Sequence, residues 1–546
     1  MPPPRTTGLR YWMERVLHEC DQVSANFAAD PVHDLRVALR RCRSMADGLH
    51  ALDPHPDWRA MKKAGKRLFQ RLGQLRDIQI MMDWIDRLEP KVADVARTPS
   101  SAELPHGPGV PHVSLLLRDV GSSTTATQRE ADRDPAAQAL LHILRQREAE
   151  QKREAKAALE EFDRKQWRHW SRSLPTRAAH IRPGNALFKH LALERWMAAR
   201  ELHSRALRVR SQVAWHSLRI GIKRFRYIVE NFLPEEHKLW SNDLKRIQDA
   251  LGEVHDLDVL WATAISSRVF ADQDSRQRWH AVILEERTKR IDLYRSRMVG
   301  PNSLWNIWRE RLPEGKQIQS LALRRLKLWA RVLDPDFAHS EHVAKLALEL
   351  YDGLHAAHLV SPDGIDARAS LFHAALLHDV GKSESKKGHH KHSLELIQAH
   401  GAIPGWSQKD MQRAAVLARF HCGALPSRGH RLLRDLLPNE QKAMLQMAGV
   451  LRLANALDIS HDRRVQRVTV ENNGRKIGLG ECVVIAAQGY SPRGTTAQTV
   501  AAERYLLENV LRRPVMVKAT ATSIRSISRS TASVSARSQE NKVKQK

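Results

Sequence analysis

Two groups of residues in this 546-residue sequence have types and spacings that suit chemistry on phosphate. The first is a mixed set of imidazoles and carboxylates between 339 and 458: His339 and His342, the pair His378-Asp379 followed by Val-Gly-Lys382, the run Gly388-His389-His390-Lys391-His392-Ser393, Arg419-Phe-His421, and Asp458. Imidazole and carboxylate donors suit Mn, Mg, Fe or Zn. A metal held by them lowers the pKa of its water and polarises a phosphoryl oxygen. Lys382 is placed to hold a phosphate, so Asp379 and Lys382 are the candidate catalytic residues. Adjacency alone is weak, because His-Asp also occurs at 33–34, 255–256 and 461–462. What sets 378–379 apart is its position at the end of the apolar run Leu371–Leu377, with further His and Asp on either side.

The second group is a repeated cationic stripe. Residues 33–43 read His-Asp-Leu-Arg-Val-Ala-Leu-Arg-Arg-Cys-Arg, and 216–226 read His-Ser-Leu-Arg-Ile-Gly-Ile-Lys-Arg-Phe-Arg. Downstream, Leu72-Gly-Gln-Leu-Arg-Asp-Ile pairs with Leu251-Gly-Glu-Val-His-Asp-Leu. Two matches in the same order point to a duplicated helical unit. At 100° per residue, His33, Arg36, Arg40 and Arg43 share an arc of about 80°, as do His216, Arg219, Lys223 and Arg226. Leu35, Leu39, Leu218 and Ile222 lie on another side and are expected to pack inward. Like charges at i,i+3 and i,i+4 repel, so the stripe needs water or an anionic partner. Lys62, Lys66 and Arg67 in one half, and Lys245 and Arg246 in the other, extend the cationic surface. If the halves face each other, the stripes form one groove in which Arg forks and Lys point charges meet phosphate oxygens. Histidine at each helix start adds a donor, more so when protonated.

The elements that must carry these residues are mostly helices. Asp30-Pro31 suits an N-cap and N1, so a helix is expected to start just before His33. Residues from about 97 to 136 are rich in Pro, Gly, Ser and Thr and read as a flexible insertion. Residues 137–172 read as one long solvated helix. A break follows near 299–316. Only 465–488 reads as strand, with Asn472-Asn473-Gly474 as a hairpin signal. A helix at 498–512 and a strand at 514–518 should follow. The fold expected is mainly α, with a small β-hairpin and αβ appendage.

The repeated H-x-L-R-[VI]-x-[LI]-[RK]-R-x-R stripe, with L-G-x-x-[RH]-D-[IL] after it, resembles the conserved histidine α-helical domain (CHAD) over about 10–300. The resemblance implies two four-helix bundles about a pseudo-twofold axis, a basic central channel, binding of inorganic polyphosphate, and association with polyphosphate granules. The order His…His-Asp…Asp resembles the HD phosphohydrolase superfamily. More closely, 318–518 is similar to the C-terminal region of the exopolyphosphatase/guanosine pentaphosphatase family, through Gly-His-His-Lys-His-Ser, Arg-Phe-His and Leu451-Arg-Leu-Ala-Asn-Ala-Leu-Asp458. This implies a divalent metal on His339, His378, Asp379 and Asp458. His389 and His421 would complete a two-metal site, with His390 or His392 as alternatives to His389. The N-terminal ATPase-like domains that carry that family's phosphatase site have no counterpart here, so that route to exopolyphosphatase chemistry does not carry over.

The expected organisation is thus a CHAD domain at 5–300, a linker at 301–317, an HD-type helical domain at 318–464, an α+β appendage at 465–518, and a disordered basic tail at 519–546. Composition frames the partners. Lys and Arg number 89 against 61 Asp and Glu, a net charge of +28 that favours polyanions. Inorganic polyphosphate is expected first, then phosphorylated small molecules or nucleotides. Nucleic acid is the remaining polyanion, but no recognisable nucleic-acid module is present. Apolar runs fall well short of the ~18 residues that span a bilayer, and Met1-Pro-Pro-Pro-Arg lacks a signal-peptide core. Four scattered cysteines argue against a disulfide framework or a thiolate zinc site and suit a reducing cytoplasm. A non-enzymatic polyphosphate-binding protein with a regulatory HD-like region is the alternative.

Overall fold

The computed structural model describes residues 8–25, 27–88, 133–360, 366–471, 476–477 and 480–520. The chain divides into two compact units, Met1–Leu321 and Ala322–Lys546, and is mainly helical. Among the described residues, no helix is long and apolar enough to cross a membrane.

The first unit begins with α1 (Leu9–Ala25), α2 (Ala29–His50), α3 (Pro56–Ala64) and α4 (Lys66–Leu88). It continues with α5 (Pro135–Glu160), α6 (Arg164–Ala178), α7 (Ala186–Val209), α8 (Gln212–Phe232), α9 (Pro234–Ser266), α10 (Gln273–Met298) and α11 (Leu304–Arg309). The two copies of the stripe lie on α2 and α8, and the two copies of the second motif on α4 and α9. α2 packs on α8 and α4 on α9, so the repeats meet. Leu35, Leu39, Leu218 and Ile222 are fully buried beneath the stripes. A core of Ile78, Trp84 and Ile85 from α4, Leu140 and Leu144 from α5, Leu257 and Leu260 from α9, and Trp279 from α10 joins the halves.

Several expectations are corrected here. α2 starts at Ala29 with Ala28 at its N-cap and no side-chain cap, and Asp30 is an acid in the first turn rather than the cap. The stretch expected as one solvated helix is two. α5 is capped by Asp134, whose carboxylate accepts from the amides of Ala136 and Ala137, and α6 by Asp163. α5 buries Leu140, Leu141 and Leu144, and α6 buries Trp167 and Trp170, because each presents an apolar stripe inward. Most of the insertion expected at about 97–136 lies outside the described residues; its last residues, 133–136, open α5. The stretch expected as a linker, 301–317, contains α11, whose Trp305 and Trp308 are fully buried against Trp196 and Phe225 of the first unit.

α12 (Gly315–Leu333) runs into the second unit, which continues with α13 (Phe337–Ala356), α14 (Ala367–Leu377), a 3-10 turn at Val380–Ser383, α15 (His389–His400), α16 (Gln408–Arg419) and α17 (Pro438–Leu457). β1 (Arg467–Glu471), β2 (Lys476–Ile477), β3 (Gly480–Glu481), β4 (Val483–Gln488), α18 (Thr495–Glu503), α19 (Tyr505–Leu511) and β5 (Val515–Thr520) complete it. α17 is buried almost all round from Ala443 to Leu457 and packs against α13, α14 and the α18–α19 pair. β1 pairs antiparallel with β4, and β5 pairs parallel with β4. The appendage is therefore a three-stranded sheet in the order β1-β4-β5 rather than a bare hairpin. The single helix expected at 498–512 is two, breaking at Arg504. The Asn472-Asn473-Gly474 turn and residues 521–546 of the expected tail lie outside the described residues.

Candidate functional site

In the first unit, Arg36, Arg40 and Arg43 from α2 and Arg219 and Lys223 from α8 line one cleft of about 650 Å³. Arg76 and Arg87 of α4 and Arg224 of α8 line it as well. So do six acids: Asp47, Asp77, Asp83, Asp249, Glu253 and Asp256. Sequence reasoning missed the acids. Asp77 and Asp256 are the aspartates of the second repeated motif, so the signal for two of them was already in the repeat. They sit among the cations as counter-charges, which is how so dense a basic cluster is held half-buried.

Other residues expected at this site lie elsewhere. His33 is exposed on the first turn of α2. His216 Nδ1 lies 3.2 Å from His255 Nδ1, away from the cleft lining. Arg226 faces Glu230 at 3.8 Å, an acid that also pairs with Arg41. Lys62 and Lys66 line a neighbouring pocket that shares Arg43 and Asp47 with the cleft, and Lys62 pairs with Asp47. Arg67 is held by Glu161. Arg246 lines a third pocket with Lys289, Arg290 and Arg297, while Lys245 faces Asp249. Five of the eight stripe residues thus converge on the cleft, and the outlying cations do not.

Burial shapes the charge of the cleft. It pushes Lys223 down to about 8, and Arg219, Arg40 and Arg36 push the same way. Burial pushes Asp256 up to about 6 against the pull of Arg219, with Asp77 and Glu253 adding to the rise. Burial lowers His216, and takes His255 down to about 4, so these histidines are neutral at pH 7. Protonated histidine is therefore not part of the cationic surface there.

The second unit gathers its candidate residues at the ends of separate helices. His339 is in the first turn of α13, and Asp336 caps that helix by accepting from the His339 amide. His378 ends α14, Asp379 opens the 3-10 turn, His389 is the first residue of α15, His421 follows α16, and Asp458 ends α17. His339, His378, Asp379, His421 and Asp458 are all buried. Asp379 is central. Its Oδ2 lies 3.3 Å from His378 Nε2 and pairs with Lys382, and its Oδ1 lies 3.2 Å from His389 Nε2 and 3.7 Å from His421 Nε2.

One local device recurs three times. His378 Nδ1–H donates to the Ala375 carbonyl at 2.7 Å, His421 Nδ1–H to Ala418 at 2.7 Å, and His389 Nδ1–H to Lys386 at 3.0 Å. Each ring reaches back three residues to a carbonyl of its own chain. This fixes the tautomer and turns the Nε2 lone pair into the site, as the outer hydrogen bonds of metal-binding histidines do. His378 Nε2 is fully buried and faces the Asp379 carboxylate at 3.3 Å, a pair of donor atoms that a cation could share. Donor atoms of His339, His378 and Asp379 lie within 4.8 Å of one another, and so do those of His389, His421 and Cys422. These residues fit a divalent metal, which would supply an activated water and polarise a phosphoryl oxygen.

Charge agrees with that reading. Burial alone would raise the Asp379 carboxyl, but His378, and the hydrogen bond from His389, hold it far below the usual carboxylate range. Burial keeps His421 well below an ordinary histidine, hence neutral. His389 is pushed up to about 10 by its hydrogen bond to Asp379, then by Cys422.

Two placements differ from expectation. Asp458 sits beside His339 rather than Asp379: its Oδ2 accepts from His339 Nδ1 at 2.8 Å and its Oδ1 from the Arg463 amide at 2.7 Å, so it orients His339. Of the three alternatives in 389–392, His389 faces Asp379, whereas His390 lies 3.5 Å from Cys422 and His392 pairs with Glu395. Cys422 was missed because cysteine was weighed only by CxxC spacing; its direct attachment to His421 was the available signal.

Gly381 is required by close approach. A Cβ there would sit 2.1 Å from the His389 carbonyl oxygen and 2.5 Å from the Ser393 amide. Ser393 Oγ also bridges the segments, accepting from the Gly381 amide and donating to the His378 carbonyl. Gly381→Ala is expected to destabilise the second unit by about 1–3 kcal/mol through overpacking and to weaken metal binding. Thermal unfolding and metal titration of the variant check this; unchanged values for both would show that the turn gives way freely.

The folds and sites define a helical, basic-cleft unit joined to a helical unit with a histidine-aspartate cluster. The CHAD domain model matches residues 9–264, and the model of the Ppx/GppA phosphatase, domain III, matches residues 324–482. The chain couples a CHAD domain to a Ppx/GppA-like C-terminal region, and is a polyphosphate-related protein.

Proposed function

We propose that the first unit binds inorganic polyphosphate in the cleft between α2 and α8, and that the second unit is a metal-dependent HD-type phosphohydrolase module. The observation that carries the reading is the convergence of the two repeated stripes on one cleft. Arg36, Arg40, Arg43, Arg219, Lys223, Arg76 and Arg224 hold the polymer through its phosphate oxygens. In the second unit His339, His378, Asp379, His389 and His421 hold the metal, Asp458 orients His339, and Lys382 steadies a phosphate beside Asp379. The substrate is polyphosphate or a phosphorylated small molecule or nucleotide, in the cytoplasm and at polyphosphate granules.

Equilibrium binding of long-chain polyphosphate to the intact protein at several salt concentrations tests the first half. A steep loss of affinity with salt is expected as condensed counterions are released. Phosphate release with added Mn2+ or Mg2+ tests the second half. Should phosphate release be absent while polyphosphate binding persists, the second unit is a regulatory module. The engagement of His339 by both Asp458 and Asn455 is the observation in favour of that outcome. Nucleic acid is disfavoured because two aromatic faces of the cleft are covered, Phe69 by Arg36 and Arg43, and Trp84 by Arg87 and Arg290. Tyr227, which also lines the cleft, leaves little stacking surface for a run of bases. Polyphosphate should displace DNA far better than the reverse.

The cleft also sets a pH dependence. As pH rises through about 8, Lys223 loses its proton and the cleft a positive charge, so binding weakens. As pH falls through about 6, Asp256 gains a proton and the cleft loses a negative charge, so binding tightens. The Lys223 proton links affinity to pH by at most about tenfold per unit. Affinity measured from pH 5 to 9 should fall in two limbs. Lys223→Arg should abolish the upper limb and Asp256→Asn the lower. A flat profile in the parent protein would contradict this account of the cleft.

A further inference from the structure

We infer that Cys422 is a metal ligand, and that with His389 and His421 it forms a nitrogen–sulfur site selective for a soft or borderline divalent ion such as Zn2+, Fe2+ or Co2+. This deepens the proposed phosphohydrolase reading and rests on it.

The argument starts from acceptors that face one another. His389 Nε2 and His421 Nε2 are 3.0 Å apart. Both rings have committed Nδ1–H to a backbone carbonyl, so in the neutral tautomers each Nε2 presents a lone pair. Asp379 Oδ1 approaches the same point at 3.2 and 3.7 Å. A proton on His389 Nε2 reconciles the three groups in the metal-free protein; a divalent cation taken up at the same point would replace that proton and be held by all three. His421 is 2% exposed and aimed at that point.

Cys422 completes the set. Its Sγ is 3.9 Å from His389 Nε2 and 3.5 Å from His390 Nδ1. The loop that carries it is held from beneath by the buried Arg452, which donates to the carbonyls of Phe420 and Gly423 at 3.0 Å each and pairs with Glu503. The sulfur is thus presented on a fixed segment. A coordinating thiol is deprotonated by its metal, and thiolate with imidazole favours Zn2+, Fe2+ or Co2+ over Mg2+. The second cluster, His339, His378 and Asp379, has only nitrogen and oxygen donors and accepts harder ions. The two positions then differ in the metal they prefer.

Cys422 is only partly buried, whereas Cys20, Cys42 and Cys482 are buried, so native labelling addresses Cys422 alone. The test uses the full chain, stripped with a chelator under reductant and titrated with Co2+, then Zn2+. A near-ultraviolet thiolate-to-cobalt band is expected, absent in Cys422→Ser and Cys422→Ala. Both variants should bind Zn2+ at least about tenfold more weakly, since losing even an outer partner of a ligand costs that much. Alkylation of Cys422 should slow at least tenfold with Zn2+ and be unaffected by Mg2+. If Co2+ binds with its visible spectrum but without the thiolate band, or the variants keep full Zn2+ affinity, the inference fails while the phosphohydrolase reading stands. If no divalent ion binds at all, both fall.

Discussion

Replacing Arg36 and Arg219 together by glutamine lowers the affinity for long-chain polyphosphate by about 10²–10⁴-fold. Hydrogen bonds to a charged partner contribute about 1.5–3 kcal/mol each, and the two guanidiniums occupy equivalent positions of the repeat on opposite walls of one cleft. The dependence of log affinity on log salt should become shallower by about two, one unit for each lost phosphate contact. Glutamine keeps a polar side chain of moderate length beside Asp77, which limits damage to the fold. The comparison that gives the result meaning is Arg67→Gln with Lys245→Gln. Arg67 is occupied by Glu161, and neither residue lines the cleft, so that pair should change affinity less than about threefold. An equal loss from both double variants would mean that diffuse charge, not the cleft, holds the polymer.

Asp379→Ala should abolish stoichiometric metal binding and lower phosphate release on the order of 10³-fold or more, because the activated water and the polarised phosphoryl oxygen disappear together. Among the described residues, Asp379 is the carboxylate that touches both clusters: one oxygen faces His378 and Lys382, the other His389 and His421. Removing it leaves buried imidazoles facing each other with no anion between them. Elemental analysis of the purified variant and phosphate release with added Mn2+ give the two readouts. Activity equal to that of the parent would remove Asp379 from the mechanism and the proposed chemistry with it.

Much of this was legible in the sequence for a physical reason. A cationic stripe over leucines repeats at helical spacing, and two copies of a helix that bury the same face must meet somewhere; the cleft follows. The adjacency His378-Asp379 is likewise readable, because an apolar helix that ends in two polar ligand types must bury them. The rest depends on contacts between distant segments. Periodicity alone could not tell that Asp458 would turn toward His339, or that Glu161 would claim Arg67. Nor did it reveal that acids enter the cleft, although Asp77 and Asp256 recur with the repeat. Cys422 escaped because its one sequence signal, attachment to His421, gains meaning only when the fold brings His389 and His390 beside it. The segment 301–317 looked like a tether by its Pro and Gly, but Trp305 and Trp308 cannot stay in water at low cost.

The ligands of the second unit come from the ends of four helices, α13 to α16, and Asp458, which orients His339, comes from the end of a fifth, α17. No stretch shorter than residues 339–458 can therefore assemble the pocket. Its completion is a late, long-range step in folding, because loop closure must come before these contacts repay it. Metal uptake would then report on assembly: chains not yet extended past Asp458, or misassembled, stay empty and uncatalytic, and only a chain whose five helix ends have met is switched on.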